Sequence, residues 1–304
     1  MAETKQLPVA KIGWMGIGRM GYAMARRLGE AGADIAVYNR SADKAKPLEE
    51  YGAKLASGVC DLASCDIVFT MLSTGDVVKA SLFGPGGLVQ PGQPKPKLVV
   101  DCSSISLEVS AEVRLLCAEH GINFLAAPIS GNPHVVEEGL ASFVVSGEQD
   151  NFESVRPFLL AIGKAASYVG DGELARVAKI CHNVWLGALT QSLAEVVVLA
   201  QKAGMTRAAF MDFLNGSALG STYTRVKTPH WVALDFSATF TPALMRKDMD
   251  LGIHLAQELG ATLPLATITR DLLQSLINRG IVDEDFSALL LQQAEASGLK
   301  MTSE

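Results

Sequence analysis

The stretch KIGWMGIGRMGYAMARRLGEAGA, residues 11–33, decides the fold. An apolar run closes on glycines, a helical pattern starts directly after them, and DIAVYNR at 34–40 is a second strand. Strand, glycine turn, helix and strand in this order open a βαβ unit. The glycines are Gly16, Gly18 and Gly21, spaced GxGxxG. The first permits the tight turn, the second lets backbone approach a pyrophosphate, and the third lets helix and strand pack closely. Ile17, Arg19 and Met20 fill the turn, and the helix N-terminus aims its unpaired N–H groups at an anion. The sequence therefore predicts a dinucleotide site at Gly16–Gly21.

The alternation continues from there. A helix is expected from about Ser41, then a short strand at AKLA, a helix, and strands at DIVFTML and KLVVDCS. A helix over 107–120, a strand at INFLAAP, and strands ASFVVSG and ASYVG around a helix over 151–162 complete the series. Repeated βα units imply an α/β fold with a doubly wound, mostly parallel sheet. After Gly170 only helical patterns remain: a long helix over 172–203, MTRAAFMDFLNG, and segments over 241–259, 264–279 and 286–296. The expected domains are a dinucleotide-binding one over 1–170 and an all-helical one over 171–304 for substrate and oligomerisation.

The long helix carries an unusual stripe. Asp171 can cap it and Gly204 can stop it. At 100° per residue Lys179, His182, Asn183, Leu186, Thr190, Leu193 and Val197 share one side. A lysine on an apolar stripe must pair, reach solvent or serve chemistry, because an unpartnered buried ammonium is costly.

Composition narrows the function. The chain has 304 residues and net charge −6. Its pI is near 5.5. That balance argues against nucleic acid as a partner. Apolar runs break within about ten residues, short of the roughly 20 that a membrane helix needs. No secretory leader is evident in MAETKQLPVA. Five cysteines without metal-type spacing read as reduced thiols of a cytoplasmic protein with no metal site.

Gly13-Trp-Met-Gly-Ile-Gly-Arg-Met-Gly21, Asp101-Cys102-Ser103-Ser104, Ala127-Pro128-Ile129-Ser130-Gly131, Lys179 with Asn183, and Lys247-Asp248 occur in one order over most of the chain. This ordered set resembles the β-hydroxyacid dehydrogenase family, the relatives of 3-hydroxyisobutyrate dehydrogenase and glyoxylate/succinic semialdehyde reductase. The resemblance implies hydride transfer between a nicotinamide and a small β-hydroxyacid or semialdehyde. It makes Lys179 the proton donor and Asn183 its partner one turn on; His182, on the same arc of the helix, is a rival acid/base by position alone. It also implies that Ser103, Ser130, Gly131 and Asn132 line the carboxylate end of a small anionic substrate. A second glycine usual in the family is Asn132 here, followed by Pro133, which adds side-chain bulk and rigidity at the substrate loop. Met71, Leu72, Ser73 and Ser104, in loops after strands, join the cofactor set, and Lys247 would face the cofactor.

Lys247 and Asp248 lie within a stripe of Leu244, Leu251, Leu255 and Leu259. Trp231, Phe236 and Phe240 read best as core. At the end of strand two stand Asn39, Arg40 and Ser41, with Lys44 beyond. NAD-preferring sites place an acid there; a guanidinium and a hydroxyl favour a 2′-phosphate, so NADP(H) is expected over NAD(H). An imine reductase of the same architecture and a catalytically dead cofactor-binding scaffold are the alternatives. The apolar Val196-Val197-Val198-Leu199 run on the long helix predicts a homodimer or homotetramer.

Overall fold

A computed structural model of the chain describes residues 7–304. Residues 1–6, part of the stretch read for a leader, lie outside the described residues. Six parallel strands form the main sheet: β1 (Lys11–Met15), β2 (Asp34–Tyr38), β3 (Lys54–Leu55), β4 (Ile67–Thr70), β5 (Leu98–Asp101) and β6 (Asn123–Ala126). Their order is β3-β2-β1-β4-β5-β6. Met15, the last residue of β1, pairs with Tyr38 on one side and Thr70 on the other. The chain winds outward in both directions from β1, and ligands of such sheets bind beyond the strands' carboxyl ends at this point. The strands β4 and β5 are buried along their whole length, as strands covered on both faces must be.

Helices α1 (Arg19–Glu30), α2 (Gly75–Phe83), α3 (Leu107–Glu119), α4 (Pro133–Glu137) and α5 (Gln149–Ile162) accompany these strands. α1 buries Gly21, Ala23, Met24, Ala25 and Leu28, a mostly small-residue face that permits close approach. Three expectations are corrected. The helix expected from Ser41 is two 3₁₀ segments, Ala42–Lys44 and Lys46–Tyr51, and Val59–Ser64 is a third. Pro47 removes a donor from the first pair of segments, and runs this short favour the tighter turn. The strands of ASFVVSG and ASYVG do not extend the main sheet. β7 (Ile129–Ser130), β8 (Ser142–Val145) and β9 (Ala165–Tyr168) form a separate sheet, antiparallel then parallel. Pro128, with no N–H for a ladder, stands where the chain leaves β6.

The chain divides into two compact units within its longest helix, the first ending at Lys179 and the second running from Ile180 to Glu304. That helix, α6 (Leu174–Lys202), has 29 residues. Its start is not capped by Asp171, which accepts from the Tyr168 hydroxyl at 3.2 Å. Ser146, distant in sequence, takes the Ala175 N–H at 3.0 Å and donates to the Gly172 carbonyl. The second unit adds α7 (Arg207–Gly216), α8 (Thr222–Ala233), α9 (Pro242–Leu259), α10 (Pro264–Asn278) and α11 (Leu289–Ala296). α8 escapes a sequence reading because Pro229 sits inside it, yet Ser221 and Thr224 cap it reciprocally.

On α9 the buried face is Met245, Met249, Gly252 and Ala256; Leu244 and Leu259 of the expected leucine stripe are exposed. Glycine explains the rotation. A Cβ on Gly252 would lie 2.2 Å from Val184 Cγ2, and one on Gly187 2.7 Å from Met249 Cε, so α6 and α9 meet glycine to side chain. Trp231 and Phe236 are core residues. By length and composition α6 is apolar enough to cross a membrane, with 44% of that window buried inside the protein. Counting uninterrupted runs misses this because isolated polar residues break a run while leaving the mean hydropathy of the whole window high.

Candidate active site

The glycine turn follows β1. Gly16 has φ +100°, and a Cβ there would lie 2.3 Å from the Met71 carbonyl oxygen. A Cβ on Gly21 would lie 2.0 Å from the Gly16 carbonyl oxygen, so packing demands both glycines. Gly18 differs: nothing stands within 4 Å of its Cβ position, and it is the exposed N-cap of α1 with no side chain capping the helix. The result is an open cradle above unpaired N–H groups, which fits a pyrophosphate. Asn39 braces this turn: its Oδ1 accepts from Ile17 N at 2.9 Å and its Nδ2 donates to the Ser41 carbonyl at 3.0 Å. Arg19, Arg40, Ser41 and Lys44 are exposed and Met20 is half-buried. With no acid at the end of β2, a nucleotide would meet guanidinium and hydroxyl groups there.

Next to this edge, β4 and β5 end in a buried polar knot. Asp101 Oδ1 accepts from Thr70 Oγ1 and Ser103 Oγ, both at 2.6 Å, and from Ser103 N at 3.2 Å. Ser103 Oγ in turn accepts from Leu72 N at 2.9 Å. Ser103 is fully buried and its single proton is committed to Asp101, which corrects the expectation that it donates to substrate. It ties the Met71-Leu72-Ser73 loop to the loop after β5. Its neighbour Ser104 is exposed, as is Ser73. Beneath the knot lies a residue the sequence reading passed over. Arg176 pairs with the Asp101 carboxylate and donates to Ser110 Oγ and to the Ser103 carbonyl. Only an arginine three positions before Lys179 hinted at it.

Ser130 is half-buried in β7. Gly131 has φ +141°, where an added Cβ would crowd Val135 Cγ1 at 3.1 Å. Asn132 caps α4, its Oδ1 accepting from Val135 N at 3.0 Å, and Pro133 occupies the first helical position. The exchange of glycine for Asn-Pro therefore starts a short helix at this loop.

Lys179 is half-buried on α6, one turn before Asn183. In the second unit Asn183 is 6% exposed, and its Nδ2 donates to Asp248 Oδ2 at 2.6 Å while Oδ1 contacts His182 Nδ1 at 2.9 Å. Lys247 Nζ stands 3.6 Å from Asp248 Oδ1 and is largely exposed, as is His182. Asp248 is thus the less exposed partner of the pair and the one that holds Asn183.

Two family models cover the chain. Residues 11–170 match the NAD binding domain of 6-phosphogluconate dehydrogenase. Residues 173–292 match the NAD-binding domain of NADP-dependent 3-hydroxyisobutyrate dehydrogenase. The chain belongs to the β-hydroxyacid dehydrogenase family. Among its relatives in that family, the chain is 30% identical to glyoxylate/succinic semialdehyde reductase 2 of Arabidopsis thaliana, over 94% of this chain and 80% of that one. To the 3-hydroxyisobutyrate dehydrogenase of Pseudomonas aeruginosa it is 31% identical, over 86% and 90%. The 3-hydroxyisobutyrate dehydrogenase of Mycobacterium tuberculosis, solved with L-serine, superposes with a TM-score of 0.80 at 28% identity, over 94% and 99%. As a β-hydroxyacid dehydrogenase family member, the chain is an NAD(P)-dependent oxidoreductase with a parallel six-stranded sheet followed by a helical region.

Proposed function

We propose that this β-hydroxyacid dehydrogenase interconverts a small semialdehyde and its β-hydroxyacid with NADP(H), using Lys179 to move the proton. The observation that supports it most is the turn of α6 that carries Lys179 and Asn183, with the amide of Asn183 fixed by Asp248. In this reading residues 1–170 hold the cofactor, chiefly Gly16–Gly21, Asn39–Ser41, Met71–Ser73 and Ser104. The nicotinamide, when bound, supplies or accepts the hydride. The Lys179 ammonium donates its proton to the carbonyl oxygen as negative charge builds there, and takes it back in the oxidative direction. Asn183 keeps one Nδ2 hydrogen and one Oδ1 lone pair beyond those engaged by Asp248 and His182, enough to orient a hydroxyl.

With Ser103 turned inward, the groups proposed to meet a substrate carboxylate are Ser104, Ser130, the Gly131 N–H and Asn132. Charge-assisted hydrogen bonds to such an anion are roughly twice as strong as neutral ones. Amidating that end should raise KM sharply, and equal kcat/KM for acid and amide would remove the anion site. A spectrophotometric panel of C3–C5 semialdehydes and hydroxyacids with both cofactors tests the whole reading. Tight cofactor binding without turnover on that panel would instead indicate a dead scaffold.

For the cofactor, Arg40→Ala should weaken NADPH binding about tenfold or more, since losing a hydrogen bond to a charged group costs ~1.5–3 kcal/mol. NADH affinity should change far less. Equal impairment with both cofactors in a fluorescence titration, or a wild-type kcat/KM higher with NADH, would overturn the preference.

The same reading makes the protein a cytoplasmic homodimer or homotetramer, with no nucleic-acid or membrane partner. All five cysteines are free thiols, which suits a reducing compartment. Trp185 at 65% exposure, Val196 at 41% and Leu199 at 68% share one face of α6. An apolar stripe of this kind suits a second copy of the chain. A monomer by light scattering at micromolar concentration would refute the oligomer.

A further inference from the structure

Arg176 is 2% exposed and Asp101 0%. All three guanidinium nitrogens are used. Nε donates to Ser110 Oγ at 3.2 Å, one Nη to the Ser103 carbonyl, and the other to the carbonyl and the carboxylate of Asp101. A buried guanidinium is tenable only when its fork finds acceptors in this number and geometry. Those acceptors come from the end of β5, the loop after it and α3, while the arginine belongs to the first turn of α6. Ser103 carries the same knot on to Leu72 in the loop after β4. Positions three apart on a helix share a face, so Lys179 leaves α6 from the side that Arg176 anchors.

We infer that Arg176 is a positioning residue for Lys179: its fork on Asp101, Ser103 and Ser110 sets the height and rotation at which the lysine leaves α6. The inference rests on the reading of Lys179 as proton donor. A lysine at position 176 keeps the charge but, as a point donor, cannot engage these acceptors in one plane. Misplacing a reacting group by about 1 Å can cost as much as 10²-fold in rate.

Arg176→Lys and Arg176→Met test this in the full chain. Lys179 is followed by the NMR resonance of its ¹³C-methylated amine, assigned with Lys179→Arg. Arg176→Lys should stay folded and bind NADPH within about twofold of wild type. Its kcat should fall ~10-fold or more with little change in KM, and the Lys179 resonance and its titration midpoint should move. Arg176→Met should lose more kcat than Arg176→Lys, the conservative residue recovering part of the loss. A lowered Tm with wild-type kcat and an unmoved Lys179 resonance would make Arg176 merely structural and overturn the inference. Should neither variant fold, Ser110→Ala removes only the Nε acceptor; a shifted Lys179 resonance is expected, and an unshifted one overturns the inference. If the wild-type protein turns over no semialdehyde or hydroxyacid, the functional reading fails separately, while the resonance still decides the positioning.

Discussion

Replacing Lys179 with alanine is expected to lower kcat by at least ~100-fold, the low end for a positioned proton donor. Hydride arrival at a carbonyl leaves an alkoxide that must be neutralised at once, and a half-buried ammonium can both stabilise the charge and give up the proton. NADPH affinity should barely change, because the residues proposed for the phosphates, Gly16–Gly21 and Arg40, lie at the carboxyl ends of β1 and β2. Steady-state kinetics with a cofactor titration on the same preparation check both halves. Near-normal turnover in Lys179→Ala would remove the assignment. His182, exposed and in contact with Asn183 Oδ1, would then be the next candidate for the proton.

Lys227→Met is expected to cost ~3–5 kcal/mol of stability, the range for breaking a buried ion pair by removing one partner. Lys227 and Asp285 are 7% and 2% exposed, and Nζ lies 2.6 Å from Asp285 Oδ1. Ser287 donates to that same oxygen through its N–H and its hydroxyl. Thr239 and the Phe240 N–H serve Oδ2, so the carboxylate pins the segment before α9 to the 3₁₀ turn before α11. Without the lysine the carboxylate stays buried with hydrogen-bond donors but no counter-charge. Burial by itself would raise the Asp285 carboxyl; Lys227 and the hydroxyl donors outweigh it and hold the group below its usual value. A depressed carboxyl contributes stability above its unfolded value near ~3.9 and loses it as pH falls through the folded one. The thermal stability of the wild type should therefore fall at pH below about 4, and a Lys227→Met, Asp285→Leu double variant should lack that component. A Lys227→Met protein within about 1 kcal/mol of wild type at pH 7 would show that the pair contributes no more than a surface one.

Sequence alone determined the parts of this protein that depend on neighbours along the chain. Gly16 and Gly21 identify a turn because close backbone approach there tolerates no side chain, Gly18 leaves its outer side open, and the burial of β4 and β5 follows from their unbroken apolar runs. The span of α6 and the lysine one turn before an asparagine could likewise be read from helical periodicity. Tertiary structure decided how each polar group is used. Ser103 and Ser104 are adjacent and alike, yet one is buried with its proton given to Asp101 and the other is exposed. Arg176 reads as a surface arginine until Asp101 and Ser110, far away in sequence, close around it. The buried face of α9 follows Gly252 rather than the leucines, because backbone approach to α6 requires the missing Cβ. Spacing along a chain specifies which groups can share a face; which of them is satisfied from within, and which is left for a ligand, depends on partners brought together only by the fold.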